Sequence, residues 1–409
     1  MDIVRKQLGE NTRAVHLPPP PETAQRPLGT PVYRTAAFAF GSAEEYAAVL
    51  NDQQPGYSYS RIDNPTVDAF ARAVAALEGA NLTRWPAAQA FSSGMAAITG
   101  VFMTFARAGA HVVASSALYG GTYSLLRTVL ARFGVDTTFV DISDTNAVRR
   151  AMRPATRLIY TETIANPTTA VAPLRELSDI AHSAGAMLVV DSTLAPPVIC
   201  RPLEQGADLV LHSATKYLGG HSDVTGGVVT GDIELIGKIR DTRVDTGASM
   251  SPDDAFLLRR GLETLPVRVR RSCDTASRFA ATLARHPAVA SVDYPGLPSH
   301  PSHELASRTF DSGPEGVRYG AIVTVTPSGG REAGMAFSSG LRLISIATSL
   351  GGTHTKASHV ASTTHRQYDD RALAAAGIDP GAVRFSIGLE DAEDLVSDAF
   401  TALGALGRA

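Results

Sequence analysis

Apolar positions follow two different spacings along the chain, and together they predict an α/β protein. Short continuous runs of apolar residues are typical of strands that are covered on both faces, whereas apolar positions three and four residues apart are typical of amphipathic helices. Helices are predicted over residues 67–77 and behind Pro173, a good first-turn residue. The predicted strands span residues 111–114, 138–140, 158–160, 187–190, 209–211 and 227–230.

Helices that alternate with these strands predict a mostly parallel, doubly wound sheet. Residues 232–265 have a helical pattern and lead to a second region, with strand candidates at 321–326, 343–346 and 382–386. Before the first region, the run Pro18–Pro21 cannot lie inside a helix. We therefore predict three parts, which are an N-terminal arm over residues 1–60, a large α/β domain over 61–255 and a smaller α+β domain over 256–409.

Composition and charge argue against nucleic-acid-binding, membrane and disulfide-rich secreted proteins. The 409 residues carry a net charge of −3, which provides no basic surface for nucleic acid and no polybasic patch for a membrane. The two cysteines cannot build a disulfide framework for a chain of this size and fit a reducing compartment. No apolar run approaches the roughly 18–20 residues that span a bilayer, and residues 1–6 do not begin a signal peptide. We expect a cytoplasmic protein without nucleic-acid, membrane or metal partners.

Lys216 is the first candidate for chemistry. The chain has four lysines, and Lys216 follows directly after the predicted strand 209–211. Active-site residues of open α/β sheets collect at the carboxyl ends of strands. The Lys216 amine could form a Schiff base, and the hydroxyls of Ser213 and Thr215 could bind a phosphate. For this segment alone, a solvated lysine beside two turn-forming hydroxyls explains the pattern equally well.

Three further segments carry residues that could serve the same site. Asp191 follows directly after the predicted strand 187–190, so it and Lys216 are expected to lie at the ends of neighbouring strands. A carboxylate at this place can keep a pyridine nitrogen protonated. Gly94 and Met95 open an apolar helix whose N–H groups can bind phosphate. Tyr119 could stack on a cofactor ring. Taken singly, each has an ordinary explanation as a turn carboxylate, a helix cap or a packed tyrosine.

In chain order, these segments and several others resemble the Cys/Met-metabolism group of pyridoxal-phosphate (PLP) enzymes. This group contains cystathionine γ-lyase, cystathionine γ-synthase, methionine γ-lyase and the O-acylhomoserine sulfhydrylases. The resemblance implies a PLP-dependent transferase fold of type I, with a mostly parallel seven-stranded sheet in the large domain. The similar segments are Tyr57–Thr66, Ser93–Met95, Tyr119–Thr122, Glu162–Pro167, Asp191–Thr193, Ser213–Asp223, Ser349–Gly352 and Arg384–Glu390.

The resemblance implies a role in cofactor binding or catalysis for each candidate residue. Lys216 would carry PLP and shuttle protons. Tyr119 would stack on the cofactor ring and could protonate the departing sulfur, while Asp191 would pair with the pyridine nitrogen. The cofactor phosphate would be bound by Gly94, Met95, Ser213 and Thr215.

Further residues are implied at the subunit boundary and at the substrate. Tyr59 and Arg61 resemble the pair that reaches the phosphate of a neighbouring subunit, which requires at least a dimer with shared active sites. The resemblance further implies a homotetramer built from two such dimers. Asn166 and Ser349 would lie beside the substrate. Arg384 would bind the substrate carboxylate, a role that suits a bidentate guanidinium.

Three features leave the reaction within the family open. Cystathionine enzymes typically carry a Glu at the position of His354, so His354 and the nearby Lys356 disfavour cystathionine as substrate. Well-known methionine γ-lyases carry a Cys where this chain has Gly121, as cystathionine lyases do. The run 361–365 is more similar to the sulfhydrylases. The histidines of this region are expected to be ordinary loop residues rather than metal ligands.

We therefore expect a PLP-dependent carbon–sulfur lyase that performs γ-elimination on L-methionine or cystathionine. The main alternative is a transferase that performs γ-replacement on an O-acylhomoserine. Both reactions share a vinylglycine-type intermediate, so the cofactor residues cannot separate them. A PLP-fold protein that regulates without turnover is disfavoured because the residues for cofactor and carboxylate binding are all present.

Overall fold

The computed structural model describes residues 27–366 and 369–406, and its main compact unit begins at Val32. A seven-stranded sheet with the strand order β1-β7-β6-β5-β4-β2-β3 forms the larger part of this unit. β7 runs antiparallel to both of its neighbours, and the other neighbouring pairs are parallel. The strands are Ala87–Phe91 (β1), His111–Ser115 (β2), Asp136–Val140 (β3), Thr156–Glu162 (β4), Met187–Asp191 (β5), Leu209–Ser213 (β6) and Gly227–Gly231 (β7).

The six strands predicted for this sheet are all present, and all of them extend slightly beyond the predicted bounds. β1 was not predicted because its sequence, Ala-Ala-Gln-Ala-Phe, has low intrinsic preference for strands. It forms because it pairs with β7 over its whole length, from Ala87 opposite Gly231 to Phe91 opposite Gly227. Alternate residues of the central strands enter two separate buried clusters, so the sheet is covered on both faces.

Helices cover this sheet and join its strands. The helix predicted over residues 67–77 runs from Pro65 to Glu78, with the side chain of Asn64 capping its first turn. A π-helical turn and a 3₁₀ turn follow α4. The helices of this region are Ala43–Leu50 (α1), Pro65–Glu78 (α2), Gly94–Phe105 (α3), Gly120–Ser124 (α4), Thr145–Ala151 (α5), Leu174–Ser183 (α6), Ile233–Thr246 (α7), Pro252–Glu263 (α8) and Leu265–Leu283 (α9).

A second sheet of five strands follows, with the order β12-β13-β14-β11-β8. Its strands are Val289–Asp293 (β8), Ile322–Pro327 (β11), Ser345–Ile346 (β12), Lys356–His359 (β13) and Val383–Ser386 (β14), and a small hairpin joins Ser312–Gly313 (β9) to Gly316–Val317 (β10). The strand predicted over 343–346 shrinks to two residues, and β13 was missed because its sequence is polar. The helices here are His303–Thr309 (α10), Gly330–Gly340 (α11), Asp370–Ala375 (α12) and Ala392–Leu406 (α13).

The predicted domain bounds stay a prediction. Residues 1–26, including the run Pro18–Pro21, lie outside the described residues. The described part of the predicted arm contains one helix, α1, and the boundary between residues 255 and 256 falls inside α8. Over the residues that the structure describes, none of the helices has the length and apolar character required to cross a membrane.

One glycine controls how closely α3 approaches the sheet. A Cβ at Gly227 would overlap the carbonyl oxygen of Ser93, the N-cap residue of α3, and would lie 2.7 Å from its carbonyl carbon. The start of α3 can therefore contact β7 only because position 227 has no side chain.

We predict that Gly227→Ala destabilises the fold by about 1–3 kcal/mol, the usual cost of overpacking a filled site. Gly237→Ala is the matched control, since a Cβ at that helical position meets no atom within 4 Å. The control should be neutral or up to about 1 kcal/mol more stable. Urea unfolding of the two variants measures the difference, and equal stabilities would show that α3 shifts without cost.

Candidate active site

A cavity of about 1190 Å³ lies at the carboxyl ends of the central strands. Ten of the twelve residues predicted for the site contribute to its wall. Asp191 and Leu211 are paired in register on β5 and β6, which confirms that Asp191 and Lys216 follow neighbouring strands. The ten residues are Gly94, Met95, Tyr119, Asn166, Asp191, Ser213, Thr215, Lys216, Ser349 and Arg384.

Lys216 lies in the turn after β6, where its N–H donates to the carbonyl of Ser213 at 3.1 Å. Its amine donates to the hydroxyl of Ser349 at 2.8 Å. Burial, together with the positive charges of Arg384 and Lys356, lowers the pKa of Lys216 to about 8. A substantial fraction of the amine is therefore neutral near physiological pH, as a nucleophile or a general base requires.

Ser349 connects the lysine to the second sheet. Its φ of +80° lies in the left-handed region that residues other than glycine rarely adopt. In this conformation its hydroxyl accepts from Lys216, while its carbonyl accepts from Arg384 at 3.1 Å. Two residues later, a Cβ at Gly351 would lie 2.7 Å from the nitrogen of Tyr217, so this loop packs directly on the backbone that follows the lysine.

Arg384 is a buried cation on β14, with 3% of its surface exposed. Its guanidinium donates to the Asn166 side chain at 3.2 Å and to the Ser349 carbonyl at 3.1 Å. Its Nε has no hydrogen-bond partner, and no carboxylate pairs with it, in the part of the chain that the structure describes. Burial lowers the pKa of Arg384 to about 10. A carboxylate from a bound molecule would compensate this charge.

A candidate anion site lies where α3 begins. Ser93 caps the helix by accepting from the N–H of Ala96 at 3.1 Å, and helix geometry leaves the N–H groups of Gly94 and Met95 without helical partners. A Cβ at Gly94 would lie 2.7 Å from the Cβ of Ser213, so glycine is needed for this approach. The Thr215 hydroxyl completes the group and accepts from the N–H of Gly226 at 3.0 Å.

Two buried acids face the other side of the cavity. Asp191 accepts from the N–H of Thr193 at 3.0 Å and lies 3.5 Å from the hydroxyl of Tyr160. Burial raises the pKa of Asp191, while hydrogen bonds from Thr193 oppose the shift. Glu162 accepts from the N–H of Tyr119 at 2.6 Å. Tyr119 is 48% exposed and forms part of the cavity wall.

Tyr59 and Arg61 do not reach this cavity within the chain. They line a separate open depression with Ser249–Pro252. Arg61 donates to the carbonyl of Val244 at 2.7 Å, and its guanidinium lies 5.9 Å from the centroid of the Tyr59 ring. Their assignment to the phosphate of a neighbouring subunit therefore stays a prediction.

The structure corrects the reasoning about His354. His354 was taken to disfavour cystathionine because a Glu is typical at its position, but it is exposed, is hydrogen-bonded to Thr353 and does not line the cavity among the described residues. The cations that contribute to the wall beyond Lys216 and Arg384 are Arg127 and Arg366, which sequence reasoning missed. Neither arginine was a candidate, because both lie outside the segments that carry the resemblance.

Glu162 and Thr193 were also missed as functional candidates. Both belong to segments that were singled out, Glu162–Pro167 and Asp191–Thr193, so a signal was present. The sequence alone does not show which strand-end side chains meet, so neither residue stands out within its segment. Thr193 binds the two strands through its hydroxyl, which accepts from the N–H of Ser213 at 2.8 Å.

Comparisons with known proteins agree with this geometry. A family model described as Cys/Met metabolism PLP-dependent enzyme matches residues 11–404. An L-methionine gamma-lyase from Porphyromonas gingivalis is 42% identical over 97% of this chain and 97% of its own length. A cystathionine gamma-lyase from Bacillus subtilis is 41% identical over 92% of this chain and 94% of its own length.

A solved structure from Campylobacter jejuni has a TM-score of 0.88 and 30% identity, and it covers 93% of this chain and 96% of that chain. It is described as a candidate O-acetylhomoserine (thiol)-lyase (metY) that carries N′-pyridoxyl-lysine-5′-monophosphate. The structural likeness therefore extends over both sheets.

We predict that Lys216 is the lysine that titrates at unusually low pH in cofactor-free protein. Competitive labelling with an amine reagent across a pH series, read by mass spectrometry, should show half-maximal reactivity of Lys216 near pH 8. Arg384→Met should move this midpoint upward, because a positive charge beside the amine is removed. Exposed Lys238 is the internal reference, and identical midpoints for the two lysines would contradict the described environment.

Proposed function

The chain belongs to the Cys/Met-metabolism family of PLP-dependent enzymes, as its motifs predicted, and we propose that it is a carbon–sulfur lyase acting on L-methionine. The products are methanethiol, 2-oxobutanoate and ammonia, with cystathionine as the second substrate for the same γ-elimination. One observation carries the proposal. The amine of Lys216, the acid of Asp191 and the unpaired cation of Arg384 face one cavity in a chain closely related to methionine γ-lyases.

The residues of the cavity fit PLP at three points. The start of α3, together with Ser213 and Thr215, would hold the phosphate, and the close approach at Gly94 gives this cradle its shape. The Lys216 amine would bind the aldehyde carbon, and Asp191 would face the pyridine nitrogen. When bound, PLP supplies an electron sink for the negative charge that develops on the substrate.

Proton handling falls to Lys216 and Tyr119. γ-Elimination must remove protons from Cα and Cβ and must protonate the departing thiolate. The pKa of Lys216, lowered by burial to about 8, suits a base that also returns the proton. The Ser349 hydroxyl, 2.8 Å from the amine, holds it on this side of the cavity. The Tyr119 hydroxyl would donate to the sulfur, since its ring is part of the cavity wall.

Orientation of the substrate depends on Arg384. The buried guanidinium has no acidic partner among residues 27–366 and 369–406, and Asn166 fixes one of its nitrogens at 3.2 Å. A substrate carboxylate would satisfy this charge and set the position of Cα relative to Lys216.

A γ-replacement transferase remains the second candidate, and one feature favours it. The run 361–365, which is more similar to the sulfhydrylases, places Thr363 and Thr364 on the cavity wall. The structure from Campylobacter jejuni has a matching description. In such a reaction an incoming thiol would replace the acyloxy group at Cγ of an O-acylhomoserine, and that group would leave as a carboxylate.

We also propose that the protein works in the cytoplasm as a homotetramer of two dimers. Two free, buried cysteines, Cys200 and Cys273, are compatible with a reducing compartment. Tyr59 and Arg61 face an open depression away from the Lys216 cavity of their own chain, where they would be accessible to a second copy.

The first functional test is product formation from methionine without an added thiol. Wild-type protein should release 2-oxobutanoate and methanethiol, and borohydride should trap PLP on Lys216. Lys216→Ala should lose about 10²–10⁴-fold in turnover, as expected for loss of a general base. Lys238→Ala, at an exposed position, is the matched control and should retain activity. Turnover of O-acylhomoserine with a thiol, and none of methionine, would establish the transferase instead.

A second test addresses the shared site. Arg61→Ala and Lys216→Ala are each expected to be inactive, but a mixed dimer would contain one intact site. Random exchange should therefore restore about a quarter of wild-type activity. Mixing Lys216→Ala with Asp191→Asn is the matched control, because both residues belong to the same chain's cavity and no intact site can form. If mass spectrometry shows exchange and the first mixture stays inactive, the shared site is wrong.

A further inference from the structure

Two carboxyl groups lie side by side at the ends of neighbouring strands. Glu162 ends β4 and Asp191 ends β5, and the two residues are paired in register. Neighbouring strands lie about 4.8 Å apart, so paired side chains on one face are neighbours. Only 6% of Glu162 and 8% of Asp191 are exposed. Two ionised carboxylates cannot both be stable in such a place, and one of them must keep its proton.

Their partners decide which carboxyl is neutral. Asp191 accepts from the N–H of Thr193 and faces the hydroxyl of Tyr160, contacts that favour its ionised form. Glu162 accepts from the N–H of Tyr119 through Oε1, and the N–H of Asn166 also favours its ionised form, but its buried Oε2 has no hydrogen-bond partner in the described part of the chain. An unpartnered oxygen costs far less on a neutral carboxyl than on an anion.

The electrostatics of the cluster agree with this assignment. Burial and the charge of Asp191 together raise the pKa of Glu162 to about 8, and the backbone N–H groups of Tyr119 and Asn166 oppose the shift. The groups that face Glu162 are Asp191 on β5, Tyr160 on β4 and Tyr119 before α4, with Lys216 and Arg384 elsewhere on the same cavity wall. A pyridine nitrogen beside Asp191 would strengthen the ionised form of Asp191 and leave the proton on Glu162.

The hydrogen bond from the N–H of Tyr119 indicates a structural role for the neutral Glu162. At 2.6 Å it fixes the backbone N–H at the point where the chain turns into α4. Because almost half of the Tyr119 side chain is exposed, packing alone does not hold the ring. Gly121 keeps the space beside the ring open, since a Cβ there would lie 2.5 Å from Cε1 of Tyr119.

We propose that Glu162 is a positioning residue, a neutral carboxylic acid that holds Tyr119 against the cofactor site and leaves Asp191 as the ionised member of the pair. Glu162 thereby acts through Tyr119 and Asp191 and does not touch the reacting atoms. The proposal rests on the proposed function for the roles of those two residues.

Infrared difference spectra of the holoenzyme test the protonation state. Wild type minus Glu162→Gln at neutral pH should contain the C=O stretching band of a protonated carboxylic acid. Glu332→Gln, at an exposed helical position, is the matched control and should remove only carboxylate bands. A wild-type difference spectrum that contains carboxylate bands alone would overturn the proposal.

Visible circular dichroism of the bound cofactor tests the positioning. Glu162→Gln keeps a carbonyl acceptor for the N–H of Tyr119 and should retain the wild-type spectrum and cofactor affinity. Glu162→Ala should change the spectrum and weaken cofactor retention about five- to tenfold, the effect of one lost hydrogen bond. If the Ala and Gln variants match, the positioning role is wrong. Failure of wild type to cleave methionine, with both spectroscopic results intact, would reject the proposed function and not this inference.

Discussion

Arg384 carries a positive charge that the described part of the chain buries without supplying an acid for it. Buried cations are strongly disfavoured unless they are paired. Here the guanidinium is held by an amide and a carbonyl, which orient it without neutralising it. The unfavourable free energy of burying this cation is offset only when an anion binds in the cavity. The same guanidinium donates to the carbonyl of the left-handed Ser349, and after burial its charge contributes to the lowered pKa of Lys216.

Much of the fold follows from local pattern. β2 and β4 to β7 contain short apolar runs that are buried on both faces, so their position along the chain is visible without a structure. β1 and β13 are different, because they become strands through pairing with neighbours that are distant in sequence. Their own composition favours no strand. Tertiary pairing of this kind cannot be inferred from a window of a few residues.

The residues of the site also fall into two groups, those that the sequence predicts and those that only the structure identifies. Lys216 and Asp191 follow recognisable strands, and spacing alone brought them to neighbouring strand ends. Glu162 gains its meaning from the register between β4 and β5, which sequence does not specify. For His354, the sequence suggested a role that the structure does not support. Its position in a motif suggested contact with substrate, whereas the backbone directs it to solvent.

The loop that carries Tyr59 and Arg61 has a consequence for assembly. Arg243, almost fully buried, donates to the carbonyls of Arg61 and Ile62 and to Asp63, which Arg240 also binds. These bonds form within a single chain, so the loss of conformational freedom in this loop occurs during folding. A surface that later meets the loop encounters a rigid shape and need not order it. In the proposed oligomer, association of two copies would therefore not include the entropy cost of ordering this loop.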